Sequence, residues 1–385
     1  MNVPKLRYDK FTVEWQKVKL SSQVSFLQGL TYTPNDVSND GTIVLRSSNI
    51  QNSMIDYNDI VKVNKIIPEK LKIKENDILM CVRNGSKSLV GKTAWLSKNE
   101  EKCTWGAFMN IIRPKENNRF IYYYLNSKYF YNHVWKDLGT ATVNQITKQT
   151  LESCYLSIPS IEEQEKIANT LELLDKKIEL QSRKIEDLKL FKLSLREKLF
   201  YMFSTDNKKL SEILIKWNKK NKDNKYSYVE SVSNKFGFIA QNEQFEDRNV
   251  ASNNTSNYYV IEKGVFAYNP SRLNVGSLAL KQNDKVSLVS PLYECFTTNQ
   301  NQDFMLEWFQ SKEFRRGTFS KYEGGVRNTL NYNNLSSIEI KLPSLESQNK
   351  IVKVLSCYNK LIDLELEKLN KLQQFKKGLM QQLFV

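Results

Sequence analysis

The chain has 385 residues, of which 57 are Lys or Arg and 42 are Asp or Glu, so its formal net charge is +15. This length allows two domains, and a basic excess of this size favours a polyanion as partner. Five scattered cysteines without a C-x-x-C pair argue against a disulfide framework, and no apolar run approaches the length of a membrane helix. Because no apolar signal region follows Met1, we expect a cytoplasmic protein with reduced thiols and no membrane partner.

Residues 1–157 are predicted to form a first globular domain of short strands and polar loops. An aromatic-rich stretch over residues 120–135 predicts one helix packed on the sheet. The single histidine, His133, lies on that helix without identifiable partners, which indicates a structural role. Apolar runs bounded by Gly and Asn predict the strands at residues 43–45, 78–82, 94–96 and 109–112.

The next stretch, residues 158–203, occurs again as residues 342–385 with a constant offset of 184 residues and no gap. Pro159-Ser160 opens the first copy and Pro343-Ser344 opens the second, so both serines are candidate N-caps. Apolar residues then alternate in steps of four and three, which is the heptad pattern of a coiled-coil strand. Each copy therefore predicts one helix of roughly 40 residues, longer than most core helices.

Residues 204–341 repeat the plan of the first domain with different residues. Strands are predicted at 265–268 and 286–289 and a helix at 303–314, while the Lys- and Asn-rich run 216–225 is typical of a solvated loop. The predicted fold class is therefore α/β (α+β). Two tandem mixed α/β domains would each be followed by a long helix, and the helices would pair as an antiparallel coiled coil.

Polar residues interrupt both heptad seams and suggest a register for the pair. An antiparallel arrangement with Ile185 beside Leu372 and Leu188 beside Leu369 sets Lys192 against Glu365. The same register sets Gln181 against Lys376. Polar seam residues often specify register at some cost in stability, so this pairing is the predicted one.

Three segments resemble catalytic motifs but lack essential residues. Gly85–Thr93 resembles a P-loop, yet five residues separate its glycines where four are required. Asn269-Pro270-Ser271-Arg272 lacks the second proline and the aromatic residue of the adenine-methyltransferase motif, and Glu339-Ile340-Lys341 lacks the Pro-Asp pair of nucleases. We therefore expect a non-catalytic chain without a metal or a cofactor.

The loops instead contain side chains suited to DNA. Arg can bond guanine and Asn can bond adenine, whereas Ser, Thr and Lys suit phosphates. Ordinary turn chemistry is the alternative for any one of these residues. The candidate DNA-binding residues are Arg46, Asn49, Arg83, Asn84, Ser86, Lys87, Lys92, Thr142, Asn144, Asn269, Ser271, Arg272, Asn274, Arg327 and Asn328.

This layout resembles the specificity subunit of bacterial type I restriction-modification systems. The resemblance rests on the two Pro-led helices, on the order globular–helix–globular–helix, and on the segments 83–93 and 268–276. It implies that 1–157 and 204–341 are target recognition domains, each reading one half of a bipartite, asymmetric sequence in double-stranded DNA. It further implies that 158–203 and 342–385 are the conserved coiled-coil helices that separate them.

The resemblance also implies the partners and the chemistry. Two methyltransferase subunits would dock on the helices, with or without restriction subunits, and those partners would perform adenine N6 methylation and cleavage. One alternative is a coiled-coil scaffold or adaptor without a nucleic-acid role. Another is the specificity chain of a fused methylase-nuclease system. The +15 charge and the Arg- and Asn-containing loops favour DNA recognition over a scaffold.

Overall fold

The computed structural model describes residues 3–116, 119–138, 144–203, 206–234, 236–240, 254–322 and 329–385. The chain forms two compact units. The first unit is Met1–Ser182 with Glu367–Val385, and the second is Arg183–Leu366. Both mix helices and strands, which confirms the predicted fold class. Within the described ranges, every helix is too short or too polar to cross a bilayer.

Two four-stranded sheets form the framework of the first unit. One has the order β2-β11-β8-β9 and is antiparallel, and the other has the order β10-β4-β7-β3 with one parallel pair. The strands are β1 Gln16–Lys19, β2 Val24–Gln28, β3 Val37–Ser38, β4 Thr42–Leu45, β5 Ile50–Gln51, β6 Met54–Ile55, β7 Val61–Val63, β8 Ile78–Cys81, β9 Thr93–Trp95, β10 Cys103–Trp105, β11 Met109–Pro114 and β12 Tyr155–Ile158. The short helices are α1 Leu20–Gln23, α2 Phe120–Leu125, α3 Lys128–Leu138 and α4 Lys148–Ser153.

The second unit repeats part of this plan. Its sheet β14-β21-β18-β19 has the same order of elements as β2-β11-β8-β9, and its pair β13-β22 corresponds to β1-β12. The strands are β13 Asp206–Lys209, β14 Leu214–Lys216, β15 Glu230–Ser233, β16 Gly237–Ala240, β17 Tyr259–Ile261, β18 Phe266–Tyr268, β19 Leu278–Leu280, β20 Ser287–Val289, β21 Glu294–Thr298 and β22 Glu339–Leu342. The short helices are α6 Leu210–Ile213, α7 Gln302–Trp308, α8 Lys312–Phe319 and α9 Tyr332–Ser336.

The single aromatic helix predicted in each domain is in fact two helices. Ser311 caps the second of them, because its hydroxyl accepts a hydrogen bond from the N–H of Phe314 at 3.1 Å. Ser127 occupies the matching place in the first unit, 3.5 Å from the N–H of Phe130. A serine hydroxyl inside a helical pattern can start a new helix by satisfying its free N–H groups.

The two long helices begin directly after their Pro-Ser pairs. Helix α5 spans Ile161–Phe203 and α10 spans Leu345–Leu383, which are 43 and 39 residues. The side chain of Gln164 donates to the carbonyl of Pro159 at 3.0 Å, and Gln348 donates to that of Pro343 at 2.9 Å. The repeated Pro-Ser-x-x-x-Gln sequence therefore folds into the same helix start twice.

Helices α5 and α10 pair antiparallel inside each unit. In the second unit, Lys184 bonds Glu365 at 2.5 Å, and seven residues later the ring of Phe191 lies 5.3 Å from that of Tyr358. The partner residue thus moves backward along α10 as α5 advances. In the first unit, Lys376 pairs with Asp175 at 2.5 Å.

The predicted register of the long helices is wrong. Glu365 accepts from Lys184 rather than from Lys192, and Lys376 pairs with Asp175 rather than with Gln181. Lys192 donates instead to Glu307 of α7 at 2.6 Å. It served as a false marker of register because its partner belongs to the globular part of the second unit and not to the opposite helix.

Candidate nucleic-acid interface

A hairpin with the same loop conformation occurs in each unit. Strands β8 and β9 form the first hairpin, and β18 and β19 form the second. After the first strand of each, an Asn side chain accepts from the backbone N–H of a Ser two residues on. The distances are 2.9 Å for Asn84 and Ser86 and 3.0 Å for Asn269 and Ser271. This Asx turn fixes the direction in which the loop leaves the sheet.

Each loop continues through one short 3-10 turn and a glycine in the left-handed region. The turns are Lys87–Leu89 and Leu273–Val275. Gly91 has φ +88° and Gly276 has φ +91°. Equivalent loop residues lie 185 residues apart, one more than in the long helices, so the constant offset of 184 did not reveal this second repeat.

We expect Gly91→Ala to destabilise the protein more than Gly276→Ala. A Cβ costs about 1–2 kcal/mol at positive φ in either loop. At Gly91 the new Cβ would also lie 3.1 Å from a ring carbon of Tyr131, whereas at Gly276 the nearest atom is 3.5 Å away. Urea unfolding of the two variants measures the difference, and equal losses would contradict this account.

Three loops of the first unit meet at the β8–β9 hairpin. The amide nitrogen of Asn84 donates to the hydroxyl of Ser47 at 3.0 Å. The backbone N–H of Asn84 donates to the carbonyl of Asn144 at 3.3 Å, and the side chain of Asn144 donates to the carbonyl of Gly85 at 3.0 Å. The structure therefore brings Asn84, Ser86 and Asn144 together, and it adds Ser47, which sequence reasoning missed.

Exposed cations of this loop lie over exposed aromatic rings. The guanidinium of Arg83 is 5.1 Å from the centre of the Phe108 ring, and the ammonium of Lys87 is 4.6 Å from that of Trp135. The two aromatic residues are 57% and 43% exposed. A cation held over a ring keeps its position while its donors stay available. Phe108 and Trp135 were not predicted, since neither is near the hairpin in sequence.

Other candidates of the first unit brace the fold instead of facing solvent. Asn49 is fully buried. Its amide oxygen accepts from the N–H of Arg46, and its amide nitrogen donates to the carbonyls of Asp56 and Asp59, each at 2.9 Å. Arg46 pairs with Asp59 at 2.8 Å, and Lys92 donates to the carbonyl of Ile50 at 2.8 Å. In this structure Arg46, Asn49 and Lys92 shape the loop that supports Asn84.

The second hairpin presents Ser271, Arg272 and Asn274 at the surface, with Asn269 half-buried beneath them. The N–H of Leu330 donates to the carbonyl of Pro270 at 3.0 Å, which ties the segment before α9 to this loop. The remaining candidates, Thr142, Arg327 and Asn328, lie outside the described residues.

The geometry gives no sign of an activated catalytic group. Thr93 begins a strand and not a helix, so the segment 85–93 lacks the context of a P-loop. Burial raises the pKa of the Cys81 thiol and raises that of Cys103 to about 11, so both thiols stay protonated at neutral pH. Among the residues with described positions, no group of His, Cys, Asp and Glu could hold a metal ion.

Known proteins of similar sequence and fold agree on one family. The StySPI type I restriction enzyme specificity subunit of Salmonella potsdam is 29% identical over 181 residues, which is 45% of this chain and 39% of that protein. The chain therefore spans well under two thirds of this relative.

Two solved structures share the fold along nearly the whole chain. The type I restriction-modification S subunit from M. genitalium has a TM-score of 0.54 at 15% identity, covering 100% of this chain and 99% of its own. A chain from a study of assembly and conformational transition of the type I R-M system has a TM-score of 0.60 at 14% identity, covering 97% and 98%. The family model of the type I restriction modification DNA specificity domain matches twice, over residues 12–190 and 198–374. The chain belongs to this family of type I restriction-modification DNA specificity proteins.

Proposed function

We propose that the chain is a non-catalytic specificity subunit that reads a bipartite, asymmetric DNA sequence for a type I restriction-modification complex. The observation that carries the proposal is the repeated hairpin, which presents an exposed cation from the same loop conformation in two different units. Residues 1–157 and 204–341 would be the target recognition domains. Because their loop residues differ, the two domains would read different half-sites.

Arg83 is the side chain best placed to read a base in the first domain. It is exposed, follows a buried strand, and lies over Phe108. Arg272 and Asn274 are its counterparts in the second domain. Ser86 and Lys87 suit phosphates, which would position the hairpin on the duplex without specifying sequence.

Exposed apolar residues on the long helices support the proposed protein partners. Leu180 and Leu364 lie 184 residues apart and are 64% and 63% exposed. Phe191 and Phe375 have the same spacing and are 53% and 61% exposed. Apolar surface repeated in this way fits two copies of one partner. We infer that two methyltransferase subunits dock on the helices, with or without restriction subunits. These partners would perform adenine N6 methylation and cleavage in the cytoplasm.

Arg83→Ala is expected to weaken binding of the recognised DNA by about 1–3 kcal/mol and to relax specificity at one position of a half-site. The guanidinium would lose its hydrogen bonds to one base edge. Fluorescence anisotropy of the assembled complex with duplexes substituted at each position measures both effects.

Lys70→Ala is the matched control, because it removes one exposed positive charge of the same unit away from the hairpin. An equal loss on all duplexes, with a smaller salt slope, would make Arg83 a phosphate contact. If neither affinity nor salt slope changes, Arg83 is not part of the interface. If the unaltered complex shows no preference among duplexes, the scaffold hypothesis is favoured.

A further inference from the structure

Each unit has one cavity at an equivalent place in the repeat. The cavity of the second unit has about 900 Å³ and lies between the end of α5, helices α7 and α8, and the β18–β19 hairpin. The cavity of the first unit has about 450 Å³ and lies between the end of α10 and helices α2 and α3. Lining residues 184 positions apart are Leu193 and Lys377, Arg196 and Met380, Leu306 and Tyr122, Gln310 and Asn126, and Arg315 and Tyr131.

The identities of these residues differ, but both cavities are basic. Arg196 and Arg315 line the cavity of the second unit. Lys128, Lys376 and Lys377 line that of the first. Neither set of described lining residues includes an Asp or a Glu. Positive charge is thus kept at an equivalent place while the side chains that supply it change, which indicates a shared negatively charged ligand.

Arg196 is the most informative of these cations. Its side chain is 4% exposed, and its Nε has no hydrogen-bond partner among the described residues. One terminal nitrogen donates to the carbonyl of Gln310 at 2.8 Å, but the other is 3.5 Å from Glu307. Glu307 already accepts from Lys192 at 2.6 Å, so it satisfies Arg196 poorly. A buried guanidinium with spare donors favours an added acceptor.

The depth of Arg196 distinguishes between two sources of negative charge. A phosphate on a stiff duplex cannot reach a guanidinium this deeply buried, whereas a carboxylate at the end of a protein side chain can. The cavities also adjoin the exposed apolar residues of the long helices. Phe191 precedes Leu193 by two residues, and Phe375 directly precedes Lys376. A partner docked on those residues would be within reach of the cavities.

We propose that each cavity receives an acidic side chain, Asp or Glu, from the methyltransferase subunit docked on the adjacent long helix. This inference rests on the proposed function and specifies the chemistry of the partner. In the second unit the incoming carboxylate would bond Arg196 and Arg315. It would also lie beside Asn274, Val275 and Gly276, which form part of the cavity wall. Docking of the partner would thereby support the conformation of the DNA-reading loop.

Charge reversal at the cavity rim tests the proposal, with a neighbouring residue as control. Arg315 lines the cavity, whereas Arg316 is exposed on the same helix and does not. Arg315→Glu is expected to weaken binding of the purified methyltransferase subunit at least about tenfold, and Arg316→Glu less than about twofold. In the first unit, Lys377→Glu and its control Lys371→Glu should differ in the same way. Surface plasmon resonance on the full chain measures all four, and circular dichroism verifies their folding.

Arg315→Gln removes the charge without reversing it, so a smaller loss of affinity than for Arg315→Glu supports a carboxylate ligand. Equal losses for Arg315→Glu and Arg316→Glu would overturn the proposal, because only the overall charge would then matter. Unchanged assembly with weaker DNA binding would also overturn it and would assign the cavity to the DNA. If the unaltered chain binds no methyltransferase subunit, the proposed function itself fails, which is a different result from any of these.

Discussion

Phe384→Ala is expected to lower the free energy of unfolding of the first unit by about 3–5 kcal/mol, although the residue is the last but one of the chain. Its side chain is 1% exposed. The ring lies 5.2 Å from that of Phe120 and 6.3 Å from that of Tyr124. Truncation would leave a cavity beside helix α2, in the cluster of residues that also holds Ile167 of α5. Urea unfolding, with hydrogen exchange of residues 120–125 to localise the change, measures the loss.

Phe375→Ala is the matched control on the same helix. Its ring is 61% exposed, so its removal should change stability by no more than about 0.5 kcal/mol. Phe200→Ala is the equivalent change in the second unit, where the rings of Phe200 and Phe304 also lie 5.2 Å apart. If Phe384→Ala and Phe375→Ala unfold at the same urea concentration, the last residues do not help to hold the first unit together.

The long helices were predictable because one sequence feature determines them. The Pro-Ser start and a heptad seam without gaps recur at a constant spacing, and the structure contains α5 and α10 where that pattern places them. Antiparallel pairing was also expected. The register was not accessible, because the seam alone cannot show that Lys192 turns toward Glu307 and leaves Glu365 to Lys184.

The candidate interface was predictable in part. The loop after β8 and the loop after β18 were identified from their residue types. Burial was not visible, so Asn49 could not be distinguished from Asn84 before the structure showed one fully buried and the other at the meeting point of three loops. Loops tolerate insertions that a coiled-coil seam does not. The hairpin repeat therefore has its own spacing and escaped a search at one constant offset.

We expect the paired long helices to set the distance between the two half-sites of the recognised DNA. Four residues inserted after Glu186 would lengthen α5 by about one turn, roughly 6 Å. With a rise of ~3.4 Å per base pair, the unread spacer should grow by about one or two base pairs while both half-sites stay the same. The insertion falls between the contact of Lys184 with Glu365 and that of Phe191 with Tyr358. A second insertion of four residues after Leu361 in α10 should therefore restore this pairing and keep the longer spacer.

Genome-wide mapping of methylated positions in cells that carry each variant reads the spacer directly. The matched control is four residues inserted after Asn283, an exposed position outside the long helices, which should leave the spacer unchanged. Altered half-sites with an unchanged spacer would show that the helices do not determine the spacing. A longer spacer in the helix variants alone would mean that α5 and α10 separate two independent reading domains, because their own base contacts would then be untouched.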